Sequence, residues 1–85
     1  MYQQTMRYRV QEGVSDVRSN ELNRLREYNT LYEVREHFDT WLMYWERIRE
    51  QHKRQFQITG SLADGYILAK DKVNKQTYYI QLVRR

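Results

Sequence analysis

The chain has 85 residues, with no cysteine, no proline and a formal net charge of +4. This length predicts a single domain over residues 1–85, and the lack of cysteine excludes disulfide bonds and thiolate metal sites. The start of the chain is polar and no apolar run approaches about 18 residues, so we expect a cytoplasmic protein without a membrane partner.

Charge is unevenly distributed along the chain. Residues 1–46 carry six Lys or Arg against eight Asp or Glu, a net charge of −2, whereas residues 47–85 carry nine against three, a net charge of +6. The C-terminal half is therefore the part that is expected to attract an anionic partner.

The first predicted element is a strand that ends near Gly13. Met6, Tyr8 and Val10 alternate with polar residues, which is the period of two of a half-buried strand. We therefore expect an N-terminal strand that the glycine brings to an end.

Residues 14–59 contain no glycine or proline and are predicted to be largely helical. Two apolar stripes at helical spacing fall in this segment: Leu22, Leu25, Tyr28 and Tyr32, and then Leu31, Val34, Phe38, Trp41, Trp45 and Ile48. In one continuous helix the two stripes would face directions about 160° apart, at roughly 100° per residue. Thr30 and Glu33 also form a capping-box pattern between them. We therefore predict helices over residues 16–28 and 31–54, with one continuous helix in an oligomer as the alternative.

Three short strands are predicted after the helices, beginning at Phe56, Tyr66 and Gln76. Residues 60–65 form a predicted loop, and residues 71–75 a hairpin connection in which Asn74 is expected to take a positive φ. The order β-α-α-β-β-β predicts an α+β fold, in which a small antiparallel sheet carries two helices, one of them long, on one face. The helical crossover also allows the first strand to pair in parallel with a later strand.

Five consecutive apolar residues, 41–45, cannot all face one side of a helix. Both tryptophans and the leucine of this run fit the stripe that faces the core. Met43 and Tyr44 lie outside it, with Arg47 one helical turn after Met43. We predict these three as contact residues for a protein partner or a homodimer.

The cations of the C-terminal half predict an anion-binding or nucleic-acid-binding surface. Each also has a structural explanation, because cations at a helix end complement the helix dipole and lysines on edge strands limit aggregation. The candidate residues are Lys53, Arg54, Lys70, Lys72, Lys75, Tyr79 and Arg84. Their cationic groups would bind phosphate, and the tyrosine would stack on an unpaired base.

Neither histidine predicts a metal or catalytic site. His37 falls outside the apolar stripe and is expected to face solvent, whereas His52 continues the stripe at the basic end of the long helix. The chain has no glycine-rich phosphate loop, nucleophile elbow or paired catalytic carboxylate motif. We therefore expect no cofactor, no metal and no catalytic residue.

The end of the chain resembles the RelE/ParE superfamily of small toxins, in residues 56–58, 65–68 and 79–85 and in size, charge and element order. This resemblance implies a strand, two helices and a three-stranded sheet, and a ribosome-associated toxin. It matches the late arginine and tyrosine of that family to Arg84 and Tyr79. Ile67 stands where RelE-type ribonucleases usually have an arginine.

The sequence thus predicts a small non-enzymatic binding protein, of adaptor or inhibitor type, that associates stoichiometrically with a macromolecular partner. Helix aromatics and basic C-terminal residues would make the contact. A DNA- or RNA-binding module and a RelE-like toxin remain as alternatives. Salt-sensitive binding to bare nucleic acid favours the first of these. Growth arrest with mRNA cleavage that is lost in Arg84→Ala or Tyr79→Ala favours the second.

Overall fold

The computed structural model describes residues 8–15 and 24–83 and shows an α+β fold. One helix packs against one face of a five-stranded antiparallel sheet, whose strand order is β2-β1-β5-β4-β3. The elements in chain order are β1 (Tyr8–Val14), β2 (Arg24–Tyr28), α1 (Leu31–Gln51), β3 (Phe56–Ser61), β4 (Tyr66–Asp71) and β5 (Gln76–Val83). A single 3₁₀ turn, Leu62–Asp64, joins β3 to β4.

The predicted helix over residues 16–28 is wrong where the structure describes it, because residues 24–28 form strand β2. This strand pairs antiparallel with β1, with Val10 opposite Arg26, and the Arg9 guanidinium lies 3.0 Å from the Glu27 carboxylate across the pair. Arg, Leu and Glu favour helix in isolation, but pairing with the otherwise unpaired edge of β1 overrides that preference. Residues 16–23, Met6 and Arg84 lie outside the described residues.

The suggested parallel pairing of the first strand is also wrong. β1 pairs antiparallel with β5, with Val10 opposite Leu82. The physical reason is β2, which adds one chain reversal before the helix. As a result α1 connects the two edge strands, β2 and β3, and crosses one face of the sheet between them.

Helix α1 begins at Leu31 as predicted. The Thr30 Oγ1 accepts a hydrogen bond from the Glu33 backbone N–H at 3.2 Å, and the Glu33 carboxylate accepts one from the Thr30 backbone N–H at 3.2 Å. This reciprocal capping box satisfies two donors that have no partner within the helix. The helix ends at Gln51, three residues before the predicted end, where the His52 N–H bonds back to the carbonyls of Ile48 and Arg49.

The core lies between α1 and the sheet. Four helix residues from the predicted stripe are buried: Val34, Phe38, Trp41 and Trp45. They pack on the buried sheet residues Val10, Ile67, Ala69 and Ile80. Leu31, placed in the same stripe by its spacing, is half exposed at the first turn of the helix. The predicted helix-to-sheet packing is otherwise confirmed.

The turn between β4 and β5 reverses at Lys75, which has φ 60°, and the prediction of Asn74 for this role is wrong. The Asp71 Oδ1 accepts hydrogen bonds from the backbone N–H groups of Val73 and Asn74, both at 3.0 Å. These bonds hold Val73 and Asn74 in a tight turn, so the left-handed residue that returns the chain to β5 is the next one.

No helix in the described part of the chain is long and apolar enough to cross a membrane.

Candidate binding surfaces at one end of the sheet

One end of the sheet gathers most of the exposed cations that the structure describes in the second half of the chain. Because all neighbouring strands are antiparallel, β1 and β4 end there, and β2, β3 and β5 begin there. The C-terminus of α1 arrives at the same end, immediately before β3. The exposed side chains of Lys53, Arg54, Lys72 and Lys75 therefore lie together, and we call these four residues the basic end.

Backbone and side-chain hydrogen bonds join the two segments that form the basic end. The Lys72 N–H donates to the Gln55 carbonyl at 2.8 Å, and the Gln55 Nε2 donates to the Asp71 Oδ1 at 3.1 Å. The segment after α1 is thus fixed to the turn between β4 and β5. Within the described residues, no cation of the basic end forms an ion pair.

Asp71 is the carboxylate nearest the basic end in the sequence, and it is occupied by other partners. Its side chain is buried and accepts four hydrogen bonds, from Gln55, Val73 and both the backbone and side chain of Asn74. The Asn74 backbone N–H lowers the pKa of the Asp71 carboxyl, burial opposes this, and the other three donors add to the lowering. Asp71 therefore holds the turn together without pairing with the lysines around it.

The Asp71→Asn variant is expected to change how stability depends on pH. Because the folded-state pKa is lowered, Asp71 stabilises the fold at pH values above about 4, and this contribution is lost as the pH falls through the folded-state pKa. The free energy of unfolding of Asp71→Asn should be lower than that of the original protein at neutral pH, and the two should converge in acid. Urea unfolding followed by circular dichroism, repeated between neutral and acid pH, measures the difference in free energy of unfolding and its disappearance in acid.

The matched control is Asp39→Asn, which removes the same charge at an exposed position of α1. It should change the free energy of unfolding at neutral pH by no more than about 0.5 kcal/mol, because its side chain is exposed. An equal loss of the acid-dependent stability in both variants would contradict this role of Asp71.

An open groove of about 380 Å³ lies at the same end, between α1 and strands β1, β2 and β5. Trp41, Tyr44, Trp45 and Tyr78 form its aromatic side. The Trp45 and Tyr78 rings are 4.4 Å apart between centroids, and the Tyr44 ring meets the Trp45 ring edge-on at 5.4 Å. Trp41 and Trp45 are each 8% exposed, whereas Tyr44 is 60% exposed, so Tyr44 is the freely accessible ring.

The polar side of the groove contains His37, which the sequence placed in solvent. Its Nδ1 lies 2.8 Å from the Tyr28 hydroxyl and its Nε2 lies 2.8 Å from a Glu12 carboxylate oxygen. With Nε2 protonated, His37 donates to Glu12 and accepts from Tyr28. The expectation of a solvated His37 is wrong because β2 brings Tyr28 beside it. These hydrogen bonds connect α1 to β1 and β2.

The His37→Leu variant is expected to lower the free energy of unfolding by about 1–2 kcal/mol. The leucine cannot hydrogen-bond, so Tyr28 and Glu12 each lose one hydrogen-bond partner. Both residues are half-buried, and water can replace part of the lost hydrogen bonding, which limits the destabilisation. Urea unfolding would measure the change. His52→Leu, at the exposed end of the helix, is the control and should shift stability by less than about 0.5 kcal/mol. Equal effects of the two substitutions would contradict a stabilising role for the hydrogen bonds of His37 with Tyr28 and Glu12.

Arg24 and Arg26 border the polar side of the groove and its continuation along α1, and both side chains are exposed. Neither forms an ion pair with any residue in the described ranges. The carboxylates nearby have partners, since Glu33 caps the helix. Glu36 likewise hydrogen-bonds Tyr32 and raises the pKa of that tyrosine. Neither carboxylate is paired with an arginine in the described residues, so Arg24 and Arg26 remain available to an anionic ligand.

The structure separates the predicted site residues into three groups. Lys53, Arg54, Lys72 and Lys75 meet at the basic end. Met43, Tyr44 and Arg47 are exposed on α1, and of these Tyr44 lines the groove. Lys70 and Tyr79 face the other side of the sheet, away from the helix, and Arg84 lies outside the described residues.

The sheet face opposite α1 is polar and aromatic. The Tyr79 hydroxyl accepts a hydrogen bond from Gln11 Nε2 at 3.2 Å, and Leu68 lies opposite Tyr79 on the neighbouring strand. Lys70 is on the same face as Leu68, because alternate residues of a strand point the same way. The predicted anion-binding residues are therefore divided between the end of the sheet and the face away from α1, whereas Tyr78 lies on the helix side and packs on Trp45.

No family model, curated protein or solved structure matches this chain. The RelE/ParE resemblance gains no support from these comparisons, and β2 replaces part of the first of the two helices that it implied. No cluster of three or more metal-ligating side chains occurs within residues 8–15 and 24–83. Function must therefore be argued from the geometry and charge of the surfaces themselves.

Proposed function

We propose that this protein is a small binding protein that associates stoichiometrically with an acidic macromolecular partner through the basic end. The observation that supports this proposal is the hydrogen bond from the Lys72 N–H to the Gln55 carbonyl, which fixes the helix end to the β4–β5 turn. It brings cations from two distant parts of the sequence into one exposed group.

Electrostatics favours a partner surface over a purely structural role for these cations. Clustered like charges destabilise the folded chain by repulsion unless an opposite charge neutralises them. Asp71, the carboxylate of the same turn, is buried and fully hydrogen-bonded. A positive patch of this kind accelerates encounter with a negative partner and selects against positive ones.

Two exposed residues of α1 extend the proposed contact from the basic end. Met43 and Arg47 are one helical turn apart and therefore share a side of the helix. Met43 is 60% exposed and supplies apolar area next to the cation of Arg47. The surface that this protein offers to its partner then combines positive charge with an apolar side chain, as protein interfaces do.

The proposal is tested by quantitative capture of partners from cell extract, with the double variant Lys53→Glu/Lys72→Glu beside the unmodified protein. We expect one major partner in equimolar amount, acidic in character, and a loss of most of it in the double variant. Parallel captures with and without nuclease show whether the partner is nucleic acid or protein.

The matched control for this experiment is Lys70→Glu. It makes the same charge change two residues before Lys72, within strand β4, where the side chain points away from α1. Retention of the partner by Lys70→Glu supports the basic end as the contact. Equal loss in both variants, or capture only of a second copy of the chain, would contradict the proposal.

A further inference from the structure

We infer that the acidic partner is a single-stranded nucleic acid, one unpaired base of which enters the groove between α1 and the end of the sheet. This inference rests on the proposed function and names the class of partner. It assigns the base to Trp41, Tyr44, Trp45 and Tyr78, and the neighbouring phosphates to Arg24 and the basic end.

The groove has the size and lining that an unpaired base requires. Its volume of about 380 Å³ is within the range of small-ligand sites, and four aromatic side chains line it. Tyr44 is the ring available for stacking, because its edge-on contact with Trp45 leaves it 60% exposed. Stacking on tyrosine is tolerant of base identity, since every base has a π-face.

Phosphates on both sides of such a base would meet cations. Arg24 lines the groove from β2, and Lys72 follows β4 at the same end of the sheet. Strands β2 and β4 are three strand spacings apart in the order β2-β1-β5-β4, or about 14 Å. A strand of a few nucleotides that crosses this end therefore passes from one cation to the other over the aromatic groove.

Among the described residues, the groove is lined by one carboxylate, Glu12, and one guanidinium, Arg24. The Glu12 carboxylate accepts a hydrogen bond from His37 at 2.8 Å. Arg24 has no ion-pair partner in the described residues, so its charge is available.

The same features disfavour the other acidic partners. In a duplex each base is covered on both faces by its neighbours and cannot enter a groove between a helix and a sheet. An acidic protein surface would pair with the cations, but its carboxylates are not aromatic groups that could stack on Tyr44. A flexible single strand matches both the shape of the groove and the positive charge around it.

Intrinsic tryptophan fluorescence provides a direct readout, because both tryptophans of the chain line the groove. The experiment titrates the protein with oligothymidylate, oligouridylate and a mixed-sequence duplex of equal nucleotide number. Quenching is expected with the two single strands and not with the duplex. Comparison of oligouridylate with oligodeoxyuridylate then distinguishes RNA from DNA, because these two differ only in the 2′-hydroxyl.

Two pairs of variants locate the bound strand. Tyr44→Ala should weaken single-strand binding by roughly tenfold or more, whereas Tyr32→Ala, on the same helix but outside the groove, should not change it. Arg24→Gln should reduce the slope of log affinity against log salt by about 0.7, whereas Arg35→Gln should leave it unchanged.

The outcomes separate this inference from the proposed function. Equal quenching by duplex, or unchanged affinity in Tyr44→Ala, would overturn the inference. Capture of an acidic protein through the basic end, with no fluorescence response to single strands, would overturn the inference and leave the proposed function standing. Failure to bind any acidic partner would overturn both.

Discussion

Replacing Phe38 by alanine is expected to lower the free energy of unfolding by about 3–5 kcal/mol. Phe38 is 1% exposed and lies at the centre of the core cluster between α1 and the sheet. The substitution removes apolar area and leaves a cavity that rigid strands can only partly fill. The total stability of a chain this long is about 4–13 kcal/mol, so a large part of it would be lost.

Urea unfolding followed by circular dichroism measures this loss, with Met43→Ala as the control. Met43 is on the same helix and 60% exposed, so its substitution should change stability by no more than about 0.5 kcal/mol. A loss below about 1 kcal/mol for Phe38→Ala would show that the helix does not pack on the sheet as described.

Replacing Gly60 by alanine is expected to cost about 2–4 kcal/mol, the second largest effect. Gly60 has φ +92°, a conformation that side chains rarely adopt, and an added Cβ would lie 2.5 Å from the Tyr66 carbonyl oxygen. That oxygen belongs to the backbone of the paired strand β4. It cannot move without breaking the pairing of β3 with β4.

Gly65→Ala is the matched control for Gly60→Ala. Gly65 has a similar φ of +89°, but nothing lies within 4 Å of an added Cβ. Only the backbone strain remains, and we expect a loss of about 1 kcal/mol in urea unfolding. Equal losses at the two glycines would mean that the contact between the added Cβ at Gly60 and the Tyr66 carbonyl oxygen does not lower stability.

The predictions that were confirmed depend on local patterns. The start of α1 follows from Thr30 and Glu33, whose capping box acts within four residues. The buried side of the helix follows from the three- and four-residue spacing of Val34, Phe38 and Trp41. Each of these signals lies within a few turns of the chain, so no knowledge of distant partners is required.

Strand β2 was missed because its conformation depends on a distant strand. Leu25 and Tyr28 have the spacing of a helix, and arginine and glutamate favour one. The competing signal is Arg24 and Arg26 alternating with Leu25 and Glu27, a period of two that is too short to decide alone. The contact of His37 with Tyr28 and Glu12 was missed for the same reason.

The positive charge of the candidate site could be predicted from the sequence, but the spatial arrangement of its residues could not. The basic character of the helix end and of the β4–β5 turn is visible in the sequence, but the bond that joins Lys72 to Gln55 depends on strand register. The position of Lys70 and Tyr79 on the sheet face away from α1 follows from strand alternation once the sheet is oriented. The groove requires three strands and the helix together, so no local pattern contains it.

Binding of a single strand at this end of the sheet is tested by mapping backbone amide chemical-shift changes when a single-stranded oligonucleotide is added to the isotope-labelled protein. Single-strand binding over the groove predicts the largest changes at one end of the sheet, at Arg24, Tyr44, Tyr78 and the turn around Lys72. Changes centred on Lys70 and Tyr79, on the opposite face of the sheet, or no changes at saturating oligonucleotide, would contradict it.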